Sequence, residues 1–402
     1  MSVMFRKHRG VFGFTGIAKL AVVGFLVAIA ASFVSTIWAV YLEDILGSPY
    51  LVGYFSASMT IISFIAFFVI IPFIEKSNKA RMYYYSLFGI AIVYFGFAFL
   101  TKIYFFVFLA LAIVILTAIR ISVWGIMIKD KSQKKDVSRN EGLMYTFFNI
   151  AFLVGPLAAG LFAQRYGNHF VFLVAGVFVF IAFLVFGFFK VRDANIQKKV
   201  DGSLVKNFKN FFKDKDRAVA YFLGGGVNLW WVFVYLFIPL YIVLNGYDVL
   251  WIGYFFAAVV IPLILFEYYF SKLAGRVGFK KIFVLGFLIV ALVSLVCFFI
   301  SSNIILTLGI LVLGSFGMAM VEPTTEAYFL DILKKKDECR FYAPYNTSID
   351  VTQFLGEVSA ATVLVFLPFK FVFLLFAVFM FGLFLLSFKT KKVIENRIYG
   401  KV

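Results

Sequence analysis

Long apolar segments separated by short polar breaks recur along the whole chain. Twelve of these segments reach about 20 residues, the length that an α-helix needs to cross the hydrocarbon core of a bilayer. Because lipid offers no water to unpaired backbone groups, segments of this kind are predicted to be helices. The predicted spans are residues 15–41, 50–74, 82–100, 103–128, 142–163, 169–189, 218–243, 249–270, 282–301, 303–330, 341–366 and 371–388.

The composition excludes a water-soluble protein. Of the 402 residues, 63% are apolar and 14% are charged, whereas a soluble domain has ~45–50% apolar and ~25% charged residues. The polar surface is too small to cover a soluble particle, so lipid must be the solvent for most of the chain. The two cysteines, Cys297 and Cys339, are too few for a disulfide framework. We therefore predict an all-α polytopic membrane protein.

Lysine and arginine are concentrated in alternate breaks between the spans. With a cytoplasmic N-terminus, 34 of the 38 lie in cytoplasmic segments, three lie in outer loops, and only Arg120 lies deep within a span. The positive-inside rule describes this distribution, so it explains the net charge of +18 without nucleic acid as a partner. We predict an integral protein of a prokaryotic plasma (inner) membrane with both termini cytoplasmic.

The longest polar stretch divides the spans into two sets of six. It covers residues 191–217 and is interpreted as a cytoplasmic linker between an N-terminal bundle, 1–190, and a C-terminal bundle, 218–402. Within the linker, Leu204–Phe212 has the pattern of a short amphipathic helix that lies on anionic headgroups.

The two sets of spans repeat one another. Leu51–Phe55 corresponds to Trp251–Phe255 two hundred positions later, and Asn149 corresponds to Asp350 at an offset of 201. Two six-helix units with the same orientation form a parallel repeat about an axis along the membrane normal. The predicted fold is therefore a pair of pseudo-symmetric six-helix bundles.

The loop after the second span of each half carries a degenerate motif. Residues 71–81 combine Glu75 with lysines and an asparagine at a turn, and residues 271–281 combine Gly278 with a basic end. Both are degenerate forms of the pattern G-x-x-x-D-R-x-G-R-R, which the Major Facilitator Superfamily has in this loop. The first loop lacks both glycines, and the second lacks the acid. With two such loops at equivalent positions of a twelve-helix repeat, the chain resembles this superfamily over nearly its whole length. On this resemblance we assign gating to Glu75, Lys76, Lys79, Arg276 and Arg340.

Glu75 is the central residue of the gating hypothesis. The family's acid at this place acts at the cytoplasmic contact between the halves, and the expected partner of Glu75 is the start of the eleventh span near Arg340. The alternative is a solvated loop acid that balances Lys76 and Lys79.

The fifth span carries a second motif. Proton-coupled efflux members of the superfamily have G-x8-G-x3-G-P-x2-G-G there, and this chain matches its spacing with alanine at two of the glycine positions. The chain therefore resembles the drug:proton antiporter branch. Close helix packing without any bearing on transport direction remains the alternative interpretation. The residues concerned are Gly142, Gly155, Pro156 and Gly160.

Several ionisable residues lie within the predicted spans, where they are costly and point to function. At 1.5 Å per residue, Arg120, Glu322 and Asp350 lie about 14 Å from the cytoplasmic ends of their spans. Two interpretations of these residues remain open: a structural ion-pair network, and a site that binds protons and substrate. Replacing Glu322 or Asp350 by its amide tests the second interpretation. The candidate residues are Arg120, Glu322, Glu326, Asp350 and Glu357.

Aromatic side chains on the spans that line the family's cavity are further substrate candidates. Aromatic rings there can stack on an apolar or cationic solute, although packing and the interfacial aromatic belt remain alternatives. Two amides within the spans are candidates for hydrogen bonds to a solute, with contact between helices as the alternative. These candidates are Trp38, Tyr41, Trp124, Trp231, Tyr235, Asn149 and Asn228.

No enzyme chemistry is indicated. Neither histidine, His8 or His169, has metal-ligand or triad partners at a meaningful spacing, and no phosphate-binding glycine loop is present. We expect no metal, no cofactor and a monomer in the bilayer. The predicted function is secondary active transport by alternating access, with proton-coupled efflux of small amphiphilic, drug-like solutes. The alternatives are a proton-coupled or facilitative importer of a small metabolite and, more remotely, a polytopic membrane enzyme or lipid-handling protein.

Overall fold

The computed structural model describes residues 16–100, 102–131, 137–191, 204–334 and 337–391. All regular structure in these ranges is helical, and twelve helices are long and apolar enough to cross a membrane. The predicted class and number of spans are thereby confirmed. The elements are α1 (Gly16–Leu46), α2 (Pro49–Lys76), α3 (Lys79–Phe99), α4 (Ile103–Lys131), α5 (Val137–Tyr166), α6 (Asn168–Phe188), α7 (Leu204–Phe211), α8 (Lys215–Val232), α9 (Ile238–Leu244), α10 (Val249–Val277), α11 (Phe279–Ile300), α12 (Ile304–Asp331), α13 (Glu338–Phe366) and α14 (Lys370–Ser387).

The polar breaks of the sequence end and start the helices. The Asn78 side chain accepts a hydrogen bond of 2.8 Å from the backbone N–H of Arg81 and so caps α3. Asn303 caps α12 in the same way through the N–H of Leu306, at 3.1 Å. Such caps satisfy N–H groups that have no partner within the helix. Gly278, between α10 and α11, has a φ of +88°, a conformation that a side chain would strain.

The helices pack as two bundles. In the first, α1 packs against α5 and α6, and α3 packs against α4 and α6. In the second, α11 packs against α12 and α14, and α8 packs against α13. The first bundle lies within 1–190 and the second begins three residues before 218. The division into two domains and a linker stays a prediction.

The seventh span is interrupted, a feature that its apolar pattern does not predict. Between α8 and α9, residues Phe233–Phe237 form a π-helical turn. Pro239 is the second residue of α9 and cannot donate a hydrogen bond to the carbonyl of Tyr235 four residues earlier, so a wider turn is tolerated there. Turns of this kind occur frequently at functional sites, and Tyr235 lies within this one.

The halves meet closely where α5 lies against α10. A Cβ atom added to Gly253 would lie 2.4 Å from the carbonyl oxygen of Pro156, and one added to Gly160 would lie 3.1 Å from Cα of Leu250. Further along this contact, Gln164 Nε2 donates a hydrogen bond of 3.0 Å to Asp248.

The contact between α2 and α13 lies at the same end of the molecule. The hydroxyls of Tyr54 and Thr362 are 3.0 Å apart, and a Cβ atom added to Gly53 would lie 2.7 Å from Cβ of Ala361. We call this the closed end: α1 and α5 finish there, and α2 and α10 begin there. In the predicted orientation it is the outer end.

The fifth-span motif serves packing in this structure. A Cβ atom added to Gly155 would lie 1.8 Å from Oγ of Ser32 on α1, so α1 and α5 could not approach as they do with any larger residue at this position. Gly142 lies in the first two turns of α5, and its environment is outside the described side chains. Any bearing of the motif on transport direction stays a prediction.

The predicted amphipathic helix of the linker is confirmed as α7, one residue shorter than expected. Its Phe211 is fully buried against Phe329 and Phe341 of the C-terminal half. Near this place the Asp216 carboxylate pairs with the Lys391 ammonium, and this contact raises the pKa of Lys391.

Candidate functional site

A cavity of about 500 Å³ lies between the two halves. Its wall comes from α1, α2, α3, α4 and α6 of the first half, and from α8, the π-helical turn and α13 of the second half. A volume of this size suits a small organic molecule.

Aromatic rings form much of the wall. The Trp231 and Tyr235 rings are stacked with centroids 5.1 Å apart and planes 19° apart, and both line the cavity. Trp38 and Tyr94 line it from the first half, and Trp38 is held edge-on against Phe97 at 5.7 Å. Helical spacing explains the placement, because residues 228, 231, 232, 235 and 236 follow one face of the seventh span.

Two of the lining side chains are charged, and they come from opposite halves. Arg120 lies on α4, and Glu357 lies on α13. Glu357 is only 3% exposed. Thr60 Oγ1 donates a hydrogen bond of 2.8 Å to Glu357 Oε2, and Gln353 Nε2 donates one of 3.0 Å to Oε1. Because Thr60 lies on α2, this buried carboxylate joins the two halves beside the closed end.

Arg120 and Glu322 do not form the ion pair that their matched depth suggests. The guanidinium lies within electrostatic range of the hydroxyls of Tyr83 and Tyr94. Glu322 lies behind the cavity wall, where its Oε2 accepts a hydrogen bond of 3.2 Å from Trp231 Nε1. Similar depth in two helices therefore did not place the two side chains on facing surfaces.

The remaining acidic candidates lie off the cavity. Glu326 is exposed and accepts a hydrogen bond of 2.8 Å from the Tyr342 hydroxyl. Asp350 lies closer to the start of α13 than Glu357, within electrostatic range of Tyr221. Their roles in proton or substrate binding stay predictions.

Some aromatic and amide candidates also lie away from the cavity lining. Tyr41 is buried in the first half, where its ring lies 4.7 Å from that of Phe172. Trp124 stacks on Tyr83 at 5.3 Å. Asn149 is partly buried on α5 and outside the cavity lining. Asn228, by contrast, lines the cavity, together with Trp38, Trp231 and Tyr235.

The gating candidates that the structure describes lie in different environments and are not gathered at one contact. The Glu75 side chain lies outside the described side chains, so its contact with α13 stays a prediction. Lys76 and Arg276 are exposed at the ends of α2 and α10, whereas Lys79 is buried at the start of α3. Arg340 Nε donates a hydrogen bond of 2.8 Å to Asn207 Oδ1 of α7.

Sequence reasoning missed Thr60, as well as Tyr94 on the cavity wall. A threonine in an apolar span carries no signal of its own, and only its partner on the other half gives it a role. The Gln353–Glu357 contact had a usable signal, because residues four apart share one face of a helix. No group of three or more His, Cys, Asp or Glu side chains suited to a metal occurs among the described residues.

We expect Thr60→Val to reduce gradient-driven transport roughly tenfold, because a hydrogen bond to a charged group contributes about 1.5–3 kcal/mol and this one joins the halves. Transport by purified protein in proteoliposomes measures the effect. Thr117→Val is the matched control, since Thr117 also lines the cavity on α4. Equal transport by the two variants would remove Thr60 from the mechanism.

Comparison with known proteins identifies the family of the chain. The sequence profile of the family described as Major Facilitator Superfamily matches residues 20–266 and 252–397. No curated protein matches the chain significantly.

Solved structures of transporters are similar over nearly the whole chain. The nucleoside transporter NupG has a TM-score of 0.76 at 14% identity, covering 93% of this chain and 100% of its own. A POT family transporter in complex with 5-aminolevulinic acid has a TM-score of 0.76 at 10% identity, covering 94% and 97%. A POT family transporter with a thioalcohol-conjugated peptide has a TM-score of 0.74 at 10% identity, covering 93% and 95%. At these identities the likeness shows the fold alone.

Proposed function

The chain belongs to the Major Facilitator Superfamily and is a membrane transporter of that kind, and we propose that it exports small amphiphilic, drug-like solutes in exchange for protons. Alternating access of the central cavity is the proposed mechanism. The observation that carries this proposal is the buried Glu357 carboxylate, which lies on the cavity wall and is hydrogen-bonded across the two halves.

A carboxylate removed from water is neutralised either by a cation or by a proton. No salt bridge of Glu357 occurs within the described residues; its partners there are Thr60 and Gln353. A proton or a positively charged group of a solute can therefore neutralise the carboxylate in turn. The Thr60 hydroxyl both donates and accepts hydrogen bonds, so this contact accommodates either state of the acid.

Alternating access would couple this exchange to movement of the halves. The Thr60–Glu357 hydrogen bond joins α2 to α13. Opening of the closed end separates these helices, removes the donor and exposes the carboxylate to the other side of the membrane. Glu357 would then exchange its proton with that side.

The aromatic wall supports an amphiphilic solute. Indole and phenol rings offer apolar area and also attract cations through their π faces. Trp38, Tyr94, Trp231 and Tyr235 supply such rings around the cavity that contains Glu357.

Import of a small metabolite is the second candidate, and Arg120 favours it. A guanidinium in the cavity suits a carboxylate or a phosphate of a sugar derivative or organic acid. Proton-coupled and facilitative import both fit this arrangement. The similar structures include transporters of nucleosides and of peptide-like ligands, which supports keeping the candidate.

The experiment compares the two directions and the two solute charges. Proteoliposomes containing the purified chain receive an imposed pH gradient, and the movement of a lipophilic cation, tetraphenylphosphonium, and of a small organic acid is followed. Export by exchange predicts that the cation accumulates in the acidic compartment and that a protonophore abolishes the accumulation. Movement of the organic acid with the protons, without movement of the cation, would favour import.

We propose further that the chain acts as a monomer in a prokaryotic inner membrane with both termini cytoplasmic. The lysine and arginine distribution supports this orientation, with 34 of 38 basic residues on one side. Protease accessibility of a C-terminal tag in intact cells tests it, because a cytoplasmic tag is protected until the membrane is opened.

A further inference from the structure

The linker helix α7 is held in a fixed orientation against the C-terminal half. Its Phe211 is fully buried, and Arg217 donates hydrogen bonds to the carbonyl oxygens of Asn210 and Phe211, at 2.7 and 3.0 Å. Arg340 fixes the other side of the helix through Asn207, at 2.8 Å. One face of α7 thus packs against the protein. The same contacts fix the direction of the opposite face, which points away from the C-terminal half.

Two ring contacts place α7 at the level where the apolar spans end. Phe208 lies 6.1 Å from Phe68, which belongs to the apolar part of α2. Phe212, which follows α7, lies 5.0 Å from Tyr221, and Tyr221 lies 5.6 Å from Phe222 on α8. Phe212 and Phe222 are 45% and 46% exposed. On interfacial helices, exposed Phe rings of this kind enter the boundary between headgroups and acyl chains.

The outward face of α7 is basic. Lys206 and Lys209 are exposed and share one helix face, and Lys213 is exposed in the turn that follows. The acids nearby are already engaged: Asp214 caps α8, and Asp216 pairs with Lys391. Within the described part of the chain, these three lysines therefore have no acidic partner.

We infer that this basic face, Lys206, Lys209 and Lys213, binds the phosphate headgroups of anionic phospholipids in the adjacent leaflet. Lysines held at the level where the apolar spans end attract the phosphates of anionic lipid electrostatically, even though the apolar face of their helix packs on the protein. Because α7 already packs on the protein, the three lysines of this face are in place together before any lipid binds, and the helix does not have to be ordered by the lipid. The site is separate from the cavity and does not depend on the proposed transport activity.

Thermal unfolding of the detergent-solubilised full chain tests the inference, because a ligand that binds the folded state raises its midpoint. Phosphatidylglycerol is the probe and phosphatidylcholine is the neutral comparison. We expect phosphatidylglycerol to raise the midpoint, and the combined Lys206→Gln, Lys209→Gln, Lys213→Gln variant to need at least tenfold more of it. High salt should weaken the effect.

The matched control removes three exposed basic residues at the other end of the bundle: Lys102→Gln, Arg165→Gln and Lys370→Gln. It should respond to phosphatidylglycerol as the wild type does. Equal responses of the α7 variant and the wild type, or an equal loss in the control, would overturn the inference. So would an equal response to soluble glycerol phosphate, because the ligand would then be a free phosphate. Lys209→Gln alone serves if the triple variant does not fold.

Discussion

Replacing Glu357 by Gln is expected to abolish proton-driven accumulation of solute and to leave facilitated movement down a solute gradient. The amide has nearly the shape of the carboxylate, and its oxygen accepts the hydrogen bond from Thr60, so the contact between the halves persists. The amide cannot exchange a proton, however, so the pH gradient loses its connection to the solute. Uphill transport and solute counterflow in the same proteoliposomes measure the two activities.

Glu326→Gln is the matched control for this change. Glu326 is also a glutamate on a C-terminal span, but it is exposed and lies off the cavity. We expect this variant to retain at least half of the uphill transport, a result that would also remove Glu326 from the candidates for proton binding. Uphill transport by Glu357→Gln at the control level would exclude Glu357 as the coupling acid. Glu322 and Asp350 would then be the remaining candidates for the coupling acid, although only their depth within the spans supports them.

Gly253→Ala is expected to prevent full closure at the closed end and to lower transport at least tenfold. The added methyl group would lie 2.4 Å from the carbonyl oxygen of Pro156, which is backbone and cannot rotate away. The helices α5 and α10 must then separate by a fraction of an ångström or more. Packed interfaces respond to such a change by shifting between discrete arrangements. The cavity should therefore be more often accessible through the closed end.

Labelling of Ser35→Cys by a membrane-impermeant thiol reagent measures this accessibility, with both native cysteines replaced by serine. Ser35 lines the cavity, and labelling from the closed end should rise in Gly253→Ala. Gly309→Ala is the control, because an added Cβ atom there has no neighbour within 4 Å. If both glycine variants label and transport alike, the α5–α10 contact does not control access.

The course of the chain through the membrane could be predicted because it depends on local composition. Each span is recognisable in the sequence as about 20 apolar residues. Residues that break this pattern, such as Asn78 and Asn303, cap helices in the structure. The contact between the halves had a partial signal in the small residues of the fifth span. Gly160 lies against α10 of the other half, whereas Gly155 lies against α1 of its own half.

The site could be predicted only in part, because it depends on which helix faces meet. Trp231 and Tyr235 were found through their span, and both line the cavity. Glu322 matched Arg120 in depth, yet its side chain lies behind Trp231, since depth along a helix says nothing about rotation around it. The π-helical turn after α8 changes that rotation within the seventh span itself. Thr60 could not be found at all without its contact to α13.

The central claim is that solute and proton compete for Glu357 in the cavity, and proton release on solute binding tests it most directly. Purified protein in weakly buffered detergent solution is mixed with tetraphenylphosphonium while a pH indicator is followed. The account predicts that the wild type releases protons in proportion to bound cation and that Glu357→Gln binds the cation without releasing any. Equal proton release by the two proteins, or cation binding by the wild type without release, would contradict it.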